Sequence, residues 1–319
     1  MQIYGLDPEP EFARALAARL DREPSPLEAR RFADGEGKLR PLVDPRGADA
    51  YVVQGLHGGP QDSPHDKLAR LLMFIATLRD HGAARVTAVV PYLAYARKDR
   101  QTHPFDPVNL RYVAMLFEAV GTAQLMTLEV HNVAAFQNAF RCPTWHLPAQ
   151  HAFGDEARRL AGDGPLAVAS PDPGGVKRAQ LWRESLEGDL RRPVGFAMVD
   201  KRRHEGVVSG IAGVAGDVRE ATVILVDDLI ASGETMQRAA AALVACGARR
   251  VVACAAHGLF VEPAEQVLLD ENIAEIVVSD AVPTFRVARD SPLRRKLRVV
   301  SCVDLFATAI RLSHEALRR

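Results

Sequence analysis

The chain has 319 residues, 48% hydrophobic and 25% charged, the balance of a globular protein with room for two domains of ordinary size. Lys plus Arg and Asp plus Glu both number 40, so no bulk charge points to nucleic acid or to an anionic membrane surface. No apolar run is long enough to span a bilayer, and the opening MQIYGLDPEPEFARAL lacks the apolar core of a secretory leader; with four dispersed cysteines (Cys142, Cys246, Cys254, Cys302), a cytoplasmic protein with reduced thiols is expected.

Short apolar runs alternate with helix-patterned stretches. AYVVQGL (50–56) reads as a strand, HDKLARLLMFIATLRDHGA (65–83) as a helix, and RVTAVVPYL (85–93) as a strand. NLRYVAMLFEAVG (109–121) reads as a helix and AQLMTLEVH (123–131) as a strand. After a stretch rich in proline and histidine at 141–155 the alternation resumes with strand PLAVAS (165–170), helix VKRAQLWRESL (176–186) and strand VGFAMVD (194–200). Strand TVILVDD (222–228), helix ETMQRAAAALVACGA (234–248), and strands RVVACAAHG (250–258) and EIVVSDAV (275–282) follow. Continuous apolar strands between helices predict parallel sheets covered on both faces. The expected class is α/β: two similar domains, each a mostly parallel sheet flanked by helices, at 1–146 and 147–297, with a terminal strand and helix at 298–319 packing back on the first.

Ligands of open parallel sheets sit beyond the carboxyl ends of the strands, and polar clusters occupy those positions here. In VILVDDLIASGET, Asp227 and Asp228 end an apolar run and are followed by Ala231, Ser232, Gly233, Glu234 and Thr235. Two adjacent carboxylates are costly to bury without a partner, and a vicinal diol or metal-bound hydroxyls suit them. Exposed N–H groups at the following helix start suit a phosphate, so the stretch describes a cradle for ribose 5-phosphate. An Asp capping the next helix is the alternative for one carboxylate, but not for two. Asp172 in ASPDPGGVKRA suits either a metal ion or an ordinary strand-to-helix turn. Lys201, Arg202 and Arg203 open a Gly-rich segment reaching Gly216; they suit either transferring phosphates or a solvated charge run.

PYLAYARKDRQTHP puts Tyr92, Tyr95, Arg97, Lys98, Asp99 and Arg100 after a strand, where arginine can stack on a base and bind phosphate. Glu129 and His131 alternate at a strand end and so share a face, either as a hydrogen-bonded core pair or as ligands of a divalent ion. Phe32, Asp34 and Glu36 surround Gly35, which reads as a hairpin turn or as an aromatic face and two acids for a nucleobase.

In this order FADGE, PYLAYARKDR, SPDPGGVKRA, DKRR and VDDLIASGET resemble the successive motifs of the ribose-phosphate diphosphokinases, over nearly the whole chain. The VDD loop alone indicates the wider phosphoribosyltransferase fold; PYxxYARxDR with DKRR is specific to the diphosphokinases. The resemblance implies attack of the ribose 5-phosphate 1-hydroxyl on the β-phosphorus of ATP, giving phosphoribosyl pyrophosphate (PRPP) and AMP. It implies Lys201 and Arg203 at the transferring group, and Mg2+ on His131 and Asp172. ATP would lie on Phe32, Asp34, Glu36, Arg97 and Lys98. Asp227 and Asp228 would take the sugar hydroxyls, and the 231–235 backbone with Ser232 and Thr235 the 5-phosphate. FADGE would come from a neighbouring subunit, so a homo-oligomer, at least a dimer, is implied. The chain departs from the family at Glu129 (usually Asp), Lys98 (commonly Gln), Ala231 (commonly Asp), Glu234 (often Gly), in KRRHEG, and after Arg100. The competing readings are a non-catalytic homologue regulating an active partner and a phosphoribosyltransferase that consumes PRPP.

Overall fold

The structure, a computed structural model, describes residues 1–200 and 213–316, and between them only the backbone pairing of 203–204 with 207–208. The chain forms two compact units, Met1–Pro148 with Cys302–Arg319 and Ala149–Ser301.

The first unit runs β1 (Gln2–Gly5), α1 (Glu11–Arg19), β2 (Leu27–Arg31), β3 (Gly37–Pro41), β4 (Asp49–Val53), α2 (Pro64–Asp80), β5 (Arg85–Val90), α3 (Asn109–Ala119), β6 (Gln124–Leu128), α4 (Val133–Ala139) and β7 (Thr144–Leu147). The sheet order is β1-β4-β5-β6-β7, parallel throughout, and β2-β3 form a separate hairpin. Each step across the sheet goes the same way, so right-handed crossovers put α2, α3 and α4 on one face. Their side chains Leu71, Phe74, Val113, Phe117 and Phe136 share a core with Tyr4, Val52, Ala88 and Val90. Helix α2 starts where its sequence directs, with Ser63 and Asp66 forming a reciprocal capping box and Pro64 in the first turn.

The second unit runs α5 (Gly154–Ala161), β8 (Leu166–Ser170), α6 (Val176–Leu190), β9 (Gly195–Asp200), β10 (Arg203–His204), β11 (Val207–Val208), β12 (Gly213–Ala215), β13 (Thr222–Ile230), α7 (Glu234–Ala245), β14 (Arg250–Gly258), α8 (Ala264–Leu268), β15 (Glu275–Ser279) and β16 (Leu297–Val300). Its sheet is β12-β9-β8-β13-β14-β15-β16, parallel except for β12 against β9. The segment read as a Gly-rich stretch to Gly216 therefore ends in an edge strand at 213–215.

The last helix, α9 (Val303–Glu315), returns to the first unit, where Phe306 stacks edge-on against Phe12 and Asp304 pairs with Arg19 of α1. The closing strand does not go with it. Ile276 pairs with Leu297 and Ser279 with Val300, so β16 extends the second sheet, whose open edge supplies backbone partners. Under α9 lies a buried polar network: Arg85 binds both oxygens of Asp49 (2.7 and 2.9 Å), Tyr51 Oη donates to Asp49, and His314 Nδ1 lies 2.6 Å from it. Burial works against the Asp49 charge, but hydrogen bonds from Arg85 and His314 outweigh it and hold the carboxyl below its usual range.

Candidate active site

In the second sheet β9 lies on one side of β8 and β13 on the other, so strand order reverses between β8 and β13. Successive loops turn apart at such a point and leave a crevice. Strand β8 pairs with β13 only as far as Ala169 opposite Leu225, whereas β13 continues to Ile230 beside β14. Asp227 and Asp228 lie in this overhang, inside the strand and not at its end as the sequence suggested, because β14 still pairs Leu229 with His257 and Ile230 with Gly258.

The two carboxylates face one cation. Arg178, in the first turn of α6, places Nη1 3.4 Å from Asp227 Oδ1 and 3.6 Å from Asp228 Oδ1. Burial and the neighbouring Asp228 charge push Asp227 up to about 8, against the pull of Arg178. Sequence reasoning missed Arg178, although SPDPGGVKRA contains it; its signal was position, a cation in the first turn of the helix that follows β8 at the switch point.

After β13 the chain turns tightly. Gly233 has φ +84°, and a Cβ there would sit 2.7 Å from Leu268 Cγ of α8, so both conformation and space require glycine. Among the described residues no side chain caps the start of α7, whose first N–H groups can therefore meet a ligand. Ser232 and Thr235 are half-buried beside these groups, and Glu234 is exposed, so its side chain is in solvent. After β8, Asp172 Oδ1 accepts from the N–H groups of Gly174 and Gly175 (2.9 and 3.2 Å), a capping role. Asp172 Oδ2 has no hydrogen bond among the described residues. Lys201 lies outside the described residues, and Arg203 is described by its backbone alone, in β10.

The first unit presents a second set of groups beyond β5 and β6. Arg97 is exposed, whereas Lys98 Nζ donates to Asp106 and to Thr102 Oγ1. Asp99 accepts from Asn132 Nδ2 at 2.7 Å. Strand β6 ends at Leu128, and Glu129 has φ +31°, which breaks the alternation expected of residues 129 and 131. Glu129 is consequently buried, 4.0 Å from His146 Nε2, while His131 is exposed. Phe32, Asp34 and Glu36 form the exposed tip of the β2–β3 hairpin, closed by Phe32 and Glu36 and by Asp34 accepting from the Glu36 N–H. Arg30 stacks over the Phe32 ring at 5.0 Å.

Among the described residues no group of three or more His, Cys, Asp or Glu side chains is placed to hold a metal ion. The Asp172 carboxylate is an oxygen donor of the kind a hard divalent cation takes one or two at a time.

Residues 1–121 match the N-terminal domain of ribose phosphate pyrophosphokinase, and residues 208–317 match a phosphoribosyl synthetase-associated domain. The chain is 34% identical to a ribose-phosphate pyrophosphokinase of Gloeobacter violaceus across 99% of this chain and 90% of that protein. It is 32% identical to one of Caldanaerobacter subterraneus, across 99% and 96%. Among solved structures, a phosphoribosylpyrophosphate synthetase of Mycobacterium smegmatis superposes with a TM-score of 0.86 at 31% identity, across 99% of each chain.

Proposed function

This chain belongs to the ribose-phosphate pyrophosphokinase family, and on that premise we propose the roles of its residues. It is an enzyme that makes PRPP. The oxygen of the ribose 5-phosphate 1-hydroxyl bonds to the β-phosphorus of ATP, the bond from that phosphorus to the α–β bridging oxygen breaks, and AMP leaves. The hydroxyl proton is released. No covalent enzyme intermediate is needed, so the protein's work is positioning and charge neutralisation.

The observation that carries the assignment of the sugar site is the Asp227–Asp228 pair held by Arg178 beside the uncapped start of α7. Asp227 and Asp228 take the ring hydroxyls. The N–H groups of 231–235 and the Ser232 and Thr235 hydroxyls take the 5-phosphate. Lys201 and Arg203 offset charge on the transferring diphosphoryl group. Phe32, Asp34, Glu36 and the Arg97–Lys98 turn serve ATP. His131 and Asp172 hold magnesium, which when bound neutralises phosphate charge and orients the triphosphate. The hairpin with Phe32 stands apart as its own two-stranded sheet, which suits service to a neighbouring copy in a homo-oligomer. The enzyme works in the cytoplasm.

The test mixes protein, magnesium, ATP and ribose 5-phosphate and follows AMP and PRPP together. Equal amounts of both are expected. ADP in place of AMP means attack at the γ-phosphate, and absence of both products from folded, ATP-binding protein supports a regulatory homologue.

A further inference from the structure

The turn after β5 is held at three points. Tyr95 has φ +67°, a strained value for a non-glycine residue, and its Oη lies 2.6 Å from His65 Nδ1 of α2. Asp99 is bound by Asn132, which also caps α4 next to His131. The third point is Asp106, whose Oδ2 accepts from Lys98 Nζ, Thr102 Oγ1 (2.7 Å) and the backbone N–H groups of Thr102 (3.0 Å) and His103 (3.1 Å). Hydrogen bonds from Lys98 and Thr102 hold the Asp106 carboxyl far below its usual range, so it stays ionised at any working pH. Arg97, between the first two ties, is exposed and has no hydrogen-bond or ion-pair partner among the described residues.

A lysine neutralised by a fixed carboxylate brings little net charge to a triphosphate. Drawing it onto the ligand would also leave Asp106 unbalanced close to the phosphates. We propose that Lys98 is a positioning residue: anchored on Asp106, it fixes the turn that presents Arg97, and Arg97 is the member of this pair that meets ATP. This rests on the turn being the nucleotide side of the site. It replaces the expectation, drawn from resemblance, that Lys98 itself touches the nucleotide. Lys98 and Asp106 both lie in this chain's ARKDRQTHPFDP stretch.

The experiment is a double-mutant cycle of Lys98→Met and Asp106→Asn in the full chain, beside Arg97→Met. It is read by KM for ATP, KM for ribose 5-phosphate, kcat, ATP binding in calorimetry and thermal melting. Each of Lys98→Met and Asp106→Asn is expected to raise KM for ATP about five- to tenfold, and the double variant no further, because both cut one tie. KM for ribose 5-phosphate stays unchanged, which general loosening of the fold would not give. Arg97→Met weakens ATP more, and Asp106→Asn adds little in that background, because the tie acts through Arg97. Lys98→Met effects that persist in full in the Asp106→Asn background, or a silent Asp106→Asn, overturn the proposal. Because the cycle is also read by ATP binding alone, failure of the assignment of the reaction would appear separately, as absence of AMP and PRPP from the unaltered enzyme.

Discussion

Arg178 Nη1 lies 3.4 Å from Asp227 Oδ1, at the one place in the second sheet where strand order reverses. The same nitrogen is 3.6 Å from Asp228 Oδ1, so one guanidinium faces both carboxylates. Burial and the Asp228 charge disfavour ionised Asp227, a penalty that sugar hydroxyls and a cation would relieve. Such sites trade stability for function.

Asp227→Asn separates the two sides of that trade. The Asp227 pKa of about 8 lies above its ordinary value, so its favourable contribution to folding is complete below about pH 4 and is lost as pH rises through 8. The variant lacks this loss. Its melting temperature relative to the unaltered protein should climb between pH 5 and pH 8 and then level off. KM for ribose 5-phosphate should rise well beyond KM for ATP. Melts that run parallel at pH 5, 7 and 9 would contradict the electrostatic account, and a selective loss of ATP affinity would move the sugar site.

Gly233→Ala places a Cβ 2.7 Å from Leu268 Cγ at a residue with φ +84°. The expected cost is about 2 kcal/mol, seen in chemical denaturation. The loop must also shift, and KM for ribose 5-phosphate should rise about tenfold. Unchanged stability with unchanged KM would show that the turn has slack.

Arg85→Met leaves Asp49 buried without its bidentate partner, at the amino ends of β4 and β5. Stability should fall by about 3 kcal/mol, with substrate KM values unmoved at temperatures where the variant stays folded. In the unaltered protein the depressed Asp49 pKa stabilises the fold above the ordinary carboxylate value, about pH 4. That contribution fades as pH drops through the lower folded value. Acid unfolding of Asp49→Asn should therefore be less steep below pH 4.

Lys201→Ala should lower kcat about 10²- to 10³-fold with no shift in the melting curve. Unchanged turnover would remove Lys201 from the chemistry.

The strands were legible because they are buried on both faces and therefore nearly uninterrupted, as in Val223–Val226 and Val251–Ala256. Strand order was not, since pairing between distant segments leaves no local trace. The length of β13 illustrates this: two aspartates read as a strand end, but the partner strand β14 carries pairing past them. Glu129 and His131 read as neighbours on one face because alternation presumes extended backbone, which the φ of +31° at Glu129 breaks. The motifs located the loops of the site. They did not disclose Arg178, Asn132 or Asp106, whose importance comes from what they reach across the fold.

The return of α9 to the first unit makes the second unit an insertion within the first, and this has a consequence for synthesis. On the ribosome, residues 149–301 are made before the helix that completes the first unit. Until His314 leaves the exit tunnel, the Arg85–Asp49 pair and the apolar side chains of α1 that meet Phe306 have no cover. The part of the first unit made before the insertion is thus completed by the helix made after it.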